Sequence, residues 1–215
     1  MHFSRWLLGV DRVLLLATRN TGKLKELNGI LGGFGVSAID LDAAGIPPRD
    51  DEDAIEAFET FRENALAKAR YFHRVSDLPT LADDSGLSVD SLDGAPGVHS
   101  RRYSGRDDLT GSDLDAANNR KLAVELRDTL HPSAMFECAA AYVDGDCEIV
   151  EQCAAEGEVI RAPRGNNGFG YDPYFLSRDL GKTFGEASDA EKATVSHRGR
   201  AFSTLVAVLR QRGRI

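Results

Sequence analysis

Val13-Leu14-Leu15-Leu16-Ala17-Thr18-Arg19-Asn20-Thr21-Gly22-Lys23 joins an uninterrupted apolar run to a polar turn and the start of a helical pattern. Five apolar residues in a row suit a strand covered on both faces. After the turn, Leu24, Leu27, Ile30 and Leu31 recur at helical spacing until Gly32-Gly33 stops them. A buried strand, a short turn and a helix in succession predict an α/β fold. Free N–H groups and the helix dipole at such a junction favour an anion. Thr18 and Asn20 can hydrogen-bond it and Lys23 adds a point charge, although simple capping by Asn20 or Thr21 explains the same residues. The Gly-x-x-x-x-Gly-Lys-Ser/Thr frame of a P-loop is absent.

Further elements follow in the same manner. Val36–Leu41 predicts a second strand, and residues 42–53 an acidic loop. Phe58, Phe61, Ala65, Ala69 and Phe72 predict the buried stripe of a helix from about Asp53 to Arg74. Pro79–Ser85 reads as a third strand ending at Asp83-Asp84. Residues 94–105 are too rich in Gly and Pro for regular structure. A helix from about Ser112 to Leu130 comes next. A hairpin of Phe136–Asp144 and Glu148–Glu158 turns at Asp144-Gly145-Asp146. The last helix starts at Ser196, a good N-cap, and buries Phe202, Leu205, Val206 and Leu209. No repeat or linker interrupts the chain, so residues 12–215 are expected to form one α/β domain, with two lobes around a cleft. Residues 1–11 are expected to be a leader outside the fold.

Composition narrows the function. The 215 residues are 42% hydrophobic and 28% charged, ordinary for a globular protein, and carry a formal net charge of −8. Such a balance disfavours a generic nucleic-acid binder. It allows a small anionic substrate held by a local basic pocket or a divalent cation. No segment approaches the length of a membrane span. Three cysteines without Cys-x-x-Cys spacing fit a reducing compartment, and a cytoplasmic protein is expected. The five histidines lack zinc-site spacing. Any metal must therefore sit on carboxylates, which points to Mg²⁺ with Mn²⁺ as a substitute.

Four clusters carry candidate chemistry besides the turn at 18–23. In Leu81-Ala82-Asp83-Asp84-Ser85-Gly86-Leu87, adjacent carboxylates on an extended segment face opposite ways. One can turn inward while the other meets a cleft, although Asp-Asp-Ser-Gly also composes an ordinary turn. Glu56, sharing a helix face with Glu63, can join Asp84 in holding a metal, or simply be solvated. The loop Gly165-Asn166-Asn167-Gly168-Phe169-Gly170-Tyr171-Asp172-Pro173 can present a ring and a carboxylate to a planar ligand, or hide a core Phe. Lys192 and Ser196-His197-Arg198-Gly199, read together at the start of the last helix, can form a second anion- or carbonyl-reading patch, or a capped helix with surface cations.

Taken in order, these pieces resemble one family. They are Thr18-x-Asn20-x-x-Lys23, Ala82-Asp83-Asp84-Ser85-Gly86-Leu87, Gly94-Ala95-Pro96-Gly97-Val98 with Arg102-Tyr103-Ser104-Gly105, Phe169-Gly170-Tyr171-Asp172-Pro173, and Lys192 before Ser196-His197-Arg198-Gly199. The set resembles the inosine/xanthosine triphosphate pyrophosphatases over about residues 13–210. That resemblance implies an elongated mixed sheet flanked by helices, a homodimer, and Mg²⁺-dependent hydrolysis of ITP, dITP and XTP to the monophosphate and pyrophosphate. It implies that Thr18, Arg19, Asn20, Thr21, Gly22 and Lys23 grip the triphosphate. Asp84 becomes the general base and a metal ligand with Glu56, and Ser85 lies beside the substrate. Phe169, Gly170, Tyr171 and Asp172 bracket the base, and Lys192, His197 and Arg198 complete its pocket. The chain departs from the family pattern at Ala57-Phe58-Glu59, where Thr-Gly is common, at His99, and at Asn166-Asn167. A pyrophosphatase for other nucleotides and a silent nucleotide-binding regulator are the competing functions; an intact Asp83-Asp84 pair and Lys23 speak against the second.

Overall fold

The structure is a computed structural model and describes residues 13–215; the expected leader at 1–11 lies outside the described residues. Six strands form one mixed sheet: β1 (Leu14–Leu16), β2 (Ala38–Asp40), β3 (Thr80–Val89), β4 (Ser133–Val143), β5 (Glu148–Val159) and β6 (Phe175–Ser177), in the order β2-β1-β3-β4-β5-β6. β1 is parallel to both β2 and β3. The remaining pairs are antiparallel. The hairpin at Asp144–Cys147 is held by Asp144 Oδ1, which accepts from the N–H groups of Asp146 and Cys147 (both 2.9 Å).

Alternation along the strands splits the core. Leu14, Leu16, Leu81, Cys138, Ala140 and Tyr142 face α1 (Thr21–Gly33) and α5 (His197–Gln211), against Leu27, Leu31, Phe202, Leu205 and Leu209. Leu15, Ala17, Ala82, Ala139 and Ala141 face α2 (Phe61–Ser76), against Phe61, Ala65, Ala69 and Phe72. A third cluster, with Leu87, Phe136, Phe175 and Phe184, lies under α3 (Gly111–Glu125) and its Leu122. The α/β architecture with a mixed sheet is therefore as expected. So are the stripe of α5 and its cap: Ser196 Oγ accepts from the Gly199 N–H at 3.0 Å.

Three expectations about element limits are corrected. The second helix starts at Phe61, not near Asp53. Thr60 caps it by accepting from the Glu63 N–H (3.2 Å), while residues 52–54 make a separate 3₁₀ turn. Glu56 thus precedes the helix, and Phe58 is 46% exposed and leaves the stripe. α3 ends at Glu125, and Leu130 beyond it is 75% exposed. β3 does not stop at Ser85. Its pairing with β4 runs unbroken from Thr80↔Val143 to Val89↔Ala134, with Asp84↔Ala139 near the middle. What ends there is the neighbour: β1 pairs with β3 only at Thr80 and Leu81.

Candidate functional site

Because β1 stops opposite Leu81, the edge of β3 opens just where Asp83 and Asp84 occur. That is the carboxyl end of a parallel pair, where open α/β sheets place ligands. A cleft of about 620 Å³ lies there, sized for a small ligand.

Strand alternation sends the two carboxylates apart, as the sequence predicts. Asp83, wholly buried, turns to the α1/α5 side. Its Oδ2 meets Lys23 Nζ (3.0 Å), Arg198 Nε (3.2 Å) and Ser85 Oγ (3.0 Å). Burial works against the charge, but Lys23, Arg198 and Lys68 overcome it and hold Asp83 far below the usual carboxylate range. It stays ionised as a structural anion. Asp84 turns to the α2 side, where Asn64 Nδ2 donates to its Oδ2 at 3.0 Å and the Ser85 N–H to its Oδ1 at 2.9 Å. Burial, aided by Glu56 and Asp83, raises Asp84 above the usual range despite Lys23 and Lys68. Of the two, Asp84 is the better proton acceptor.

Glu56 and Lys68 form an ion pair at the same end of the cleft. Burial opposes the Glu56 charge, and Lys68 and Lys23 still keep its pKa low. Asn64 ties the segment bearing Glu56 to Asp84: it accepts from the Phe58 N–H (2.9 Å) and donates to the Phe58 carbonyl (3.1 Å). Asp84 and Glu56 are oxygen donors only, and no group of three or more His, Cys, Asp or Glu that could hold a metal occurs among the described residues. Two carboxylates with open positions suit Mg²⁺, which keeps waters and takes phosphate oxygens.

The turn at 18–23 divides its labour. The Lys23 N–H donates to Asn20 Oδ1 (3.0 Å), so Asn20 caps α1, as the plainer reading has it. The Asn20 N–H donates to Thr18 Oγ1 (3.2 Å), and Thr18, Asn20 and Lys23 all line the cleft. Arg19 is spent elsewhere. It grips Glu52 with two bonds (2.8 and 3.1 Å) and donates to the Ile46 carbonyl (2.9 Å), anchoring the loop after β2. Thr21 and Gly22 form the first turn of α1. A Cβ on Gly22 would sit 2.6 Å from Phe169 Cδ1, so only glycine lets that ring close on the helix.

Phe169 marks the other end. Phe169 and Arg198 line a slot there, and Lys192 Nζ and Arg198 Cζ lie over the ring, 5.3 and 5.2 Å from its centroid. Lys192 is not at the start of the last helix as expected; it belongs to a separate short helix, α4 (Asp189–Val195), opened by a Ser188–Glu191 capping box. Its ammonium meets Asp172 Oδ2 at 2.7 Å. That oxygen also accepts from the Phe169 N–H (2.8 Å), and burial raises Asp172 against the pull of Lys192. Gly170 lines the cleft through its backbone, while Tyr171 joins the core and donates to the Ser100 carbonyl (2.8 Å). Arg198 spends three of its N–H groups on Asp83, Glu26 (2.9 Å) and Ser85 (2.8 Å). His197 stacks on Phe136 (4.7 Å, 10° between planes). Both its ring nitrogens are buried without a hydrogen-bond partner among the described residues.

Sequence reasoning missed Glu26, Lys68 and Asn64 as members of the site. Glu26 follows Lys23 by three on α1 and Lys68 follows Asn64 by four on α2, spacings that share a helix face. That spacing was the only signal. A charged residue on a helix otherwise reads as solvated.

Comparison with known proteins places the chain in a family. The Ham1 family model matches residues 14–208. A dITP/XTP pyrophosphatase of Ralstonia nicotianae is 46% identical over 202 residues, covering 93% of this chain and 97% of the relative. One from Frankia alni is 44% identical, covering 92% and 97%. Among solved structures, a HAM1 protein from Coxiella burnetii is similar with a TM-score of 0.78 at 36% identity, covering 93% of this chain and 99% of that one. A nucleoside-triphosphatase (dITP/XTP pyrophosphatase) from Mycobacterium abscessus has a TM-score of 0.67 at 39% identity, covering 91% and 98%. Matched in sequence from the first strand to the last helix and in fold across nearly its whole length, the chain belongs to the Ham1 family.

Proposed function

We propose that this protein hydrolyses non-canonical purine nucleoside triphosphates, ITP, dITP and XTP, to the monophosphate and pyrophosphate, as a cytoplasmic homodimer using Mg²⁺ or Mn²⁺. The supporting observation is a single cleft with a carboxylate and two lysines at one end and an aromatic, cation-walled slot at the other. The relatives named above are dITP/XTP pyrophosphatases.

In this reading Lys23, Lys68 and the α1 N-terminus receive the triphosphate, and Phe169 stacks on the purine. Asp84 and Glu56 would hold the cation, which when bound would neutralise phosphate charge. Asp84, held at both oxygens by Asn64 and the Ser85 N–H, orients water toward the α-phosphorus and takes its proton. Asp83 holds Lys23 and Arg198 in place through its ion pairs. Base choice follows from hydrogen-bond type. Hypoxanthine and xanthine show a carbonyl at C6 and an N–H at N1, where adenine shows an amine and a bare nitrogen. A slot that pairs a cationic donor such as Arg198 for the carbonyl with a carboxylate acceptor such as Asp172 for the N–H suits the first pair.

Asp84→Asn keeps the shape and removes the base. Its kcat is expected to fall roughly 10²-fold or more with the native fold retained by circular dichroism. Wild type in excess chelator is expected to be inactive. A variant keeping more than about a tenth of wild-type turnover, or full activity with all divalent cations removed, contradicts the proposal.

A further inference from the structure

The loop that carries Phe169 is held from two sides. On one, Asp172 accepts the Phe169 N–H, and Asn167 Nδ2 donates to the Ala187 carbonyl (3.0 Å). On the other, α3 grips Gly170. The Gly170 N–H donates to Asp115 Oδ2 and the Gly170 carbonyl accepts from Asn119 Nδ2, both at 2.9 Å. Asp115 and Asn119 are four apart, so they share one face of the helix and can straddle a single residue. Gly170 has φ +61 and Gly168 φ +74, backbone that tolerates many alternatives unless something holds it. The two bonds set both peptide planes around Gly170, and the first of these is also the plane that follows Phe169. They therefore set where the Phe169 ring lies against Gly22, Lys192 and Arg198.

We propose that Asp115 and Asn119 are positioning residues for base recognition, acting through Gly170 on Phe169. This rests on the reading that Phe169 stacks on the purine. It adds that α3, which is packed over the third core cluster, governs affinity at the base end alone.

Product inhibition separates the two ends of the cleft, with IMP reporting the base end and pyrophosphate the phosphate end. Asn119→Leu and Asp115→Ala are expected to weaken IMP inhibition about tenfold, the worth of one hydrogen bond. Pyrophosphate inhibition and kcat should stay within about twofold. Asp115→Asn keeps an oxygen acceptor for the Gly170 N–H and should restore IMP affinity. Asp115 is half-exposed, so its variants probe the clamp even if Asn119→Leu fails to fold. Phe169→Ala is the control. If it weakens IMP while Asp115→Ala leaves IMP untouched, the positioning role is wrong. If IMP and pyrophosphate weaken together, the effect is general and the role is again wrong. If Phe169→Ala itself leaves IMP affinity unchanged, the stacking reading fails and takes this inference with it.

Discussion

Arg198 shows what a residue's neighbours do to its role. A guanidinium has five N–H donors, and Asp83, Glu26 and Ser85 occupy three of them. Burial lowers the affinity for its proton, but Glu26 and Asp83 more than compensate and hold it charged. It is thus a strut between β3 and α1, with two donors left for a ligand carbonyl. Arg198→Ala is expected to lower kcat/KM for ITP by about tenfold or more, since hydrogen bonds to charged groups contribute about 1.5–3 kcal/mol. ATP, lacking the carbonyl at C6, should lose less, so the ITP:ATP ratio shrinks. An unchanged ratio would make Arg198 a strut alone. The same crowding explains Arg19, which stands in the phosphate-facing turn but anchors Glu52. Its sequence position was legible, and its partner 33 residues on was not.

At the scale of elements, α5 delivers His197 and Arg198 to the cleft from its first turn, capped by Ser196. Burial, with Arg198 and Lys192 nearby, holds His197 far below its usual pKa, so it is neutral in the fold. Below about pH 6.5 the unfolded chain takes up a proton that the folded one refuses. The contribution is complete above that pH and is lost as pH falls. His197→Phe, which keeps the stack on Phe136, should flatten the acid side of the stability profile. The wild-type minus variant difference in unfolding free energy should change by up to about 1.4 kcal/mol per pH unit between pH 6.5 and 5. Chemical denaturation at several pH values measures it, and parallel profiles would contradict a neutral buried His197.

The elements also show where sequence was readable. Leu14–Ala17 and the α5 stripe were legible because uniform burial leaves a plain apolar pattern. The start of α2 was not, because Phe58 falls at helical spacing by accident while Thr60 supplies the actual cap. The end of β3 was misread because Asp-Asp-Ser-Gly has turn composition, whereas pairing with β4 carries the strand through it. α4 escaped because seven residues give too short a pattern.

For the molecule as a whole, an overall acidic chain concentrates cations in one place. Lys23, Lys68, Arg101, Arg102 and Arg198 all line the cleft, although the formal net charge is −8. A cationic cleft in an acidic surface suits a small polyanion. The sheet brings Asp84 to the cleft, α1 brings Lys23, α5 brings His197 and Arg198, and the loop after β5 brings Phe169 and Asp172; in the proposed reading the first two serve the phosphate end and the others the base end. No helix among the described residues is long and apolar enough to cross a membrane. The central claim joins the two ends: a phosphoanhydride is cut only when a keto purine occupies the slot. Pyrophosphate release measured across ITP, dITP, XTP, ATP and pyrimidine triphosphates tests it most directly. The account predicts kcat/KM values for the three keto purines on the order of 10²-fold or more above ATP and the pyrimidines. Equal rates on ATP, a pyrimidine preference, or no pyrophosphate from any of them would contradict it.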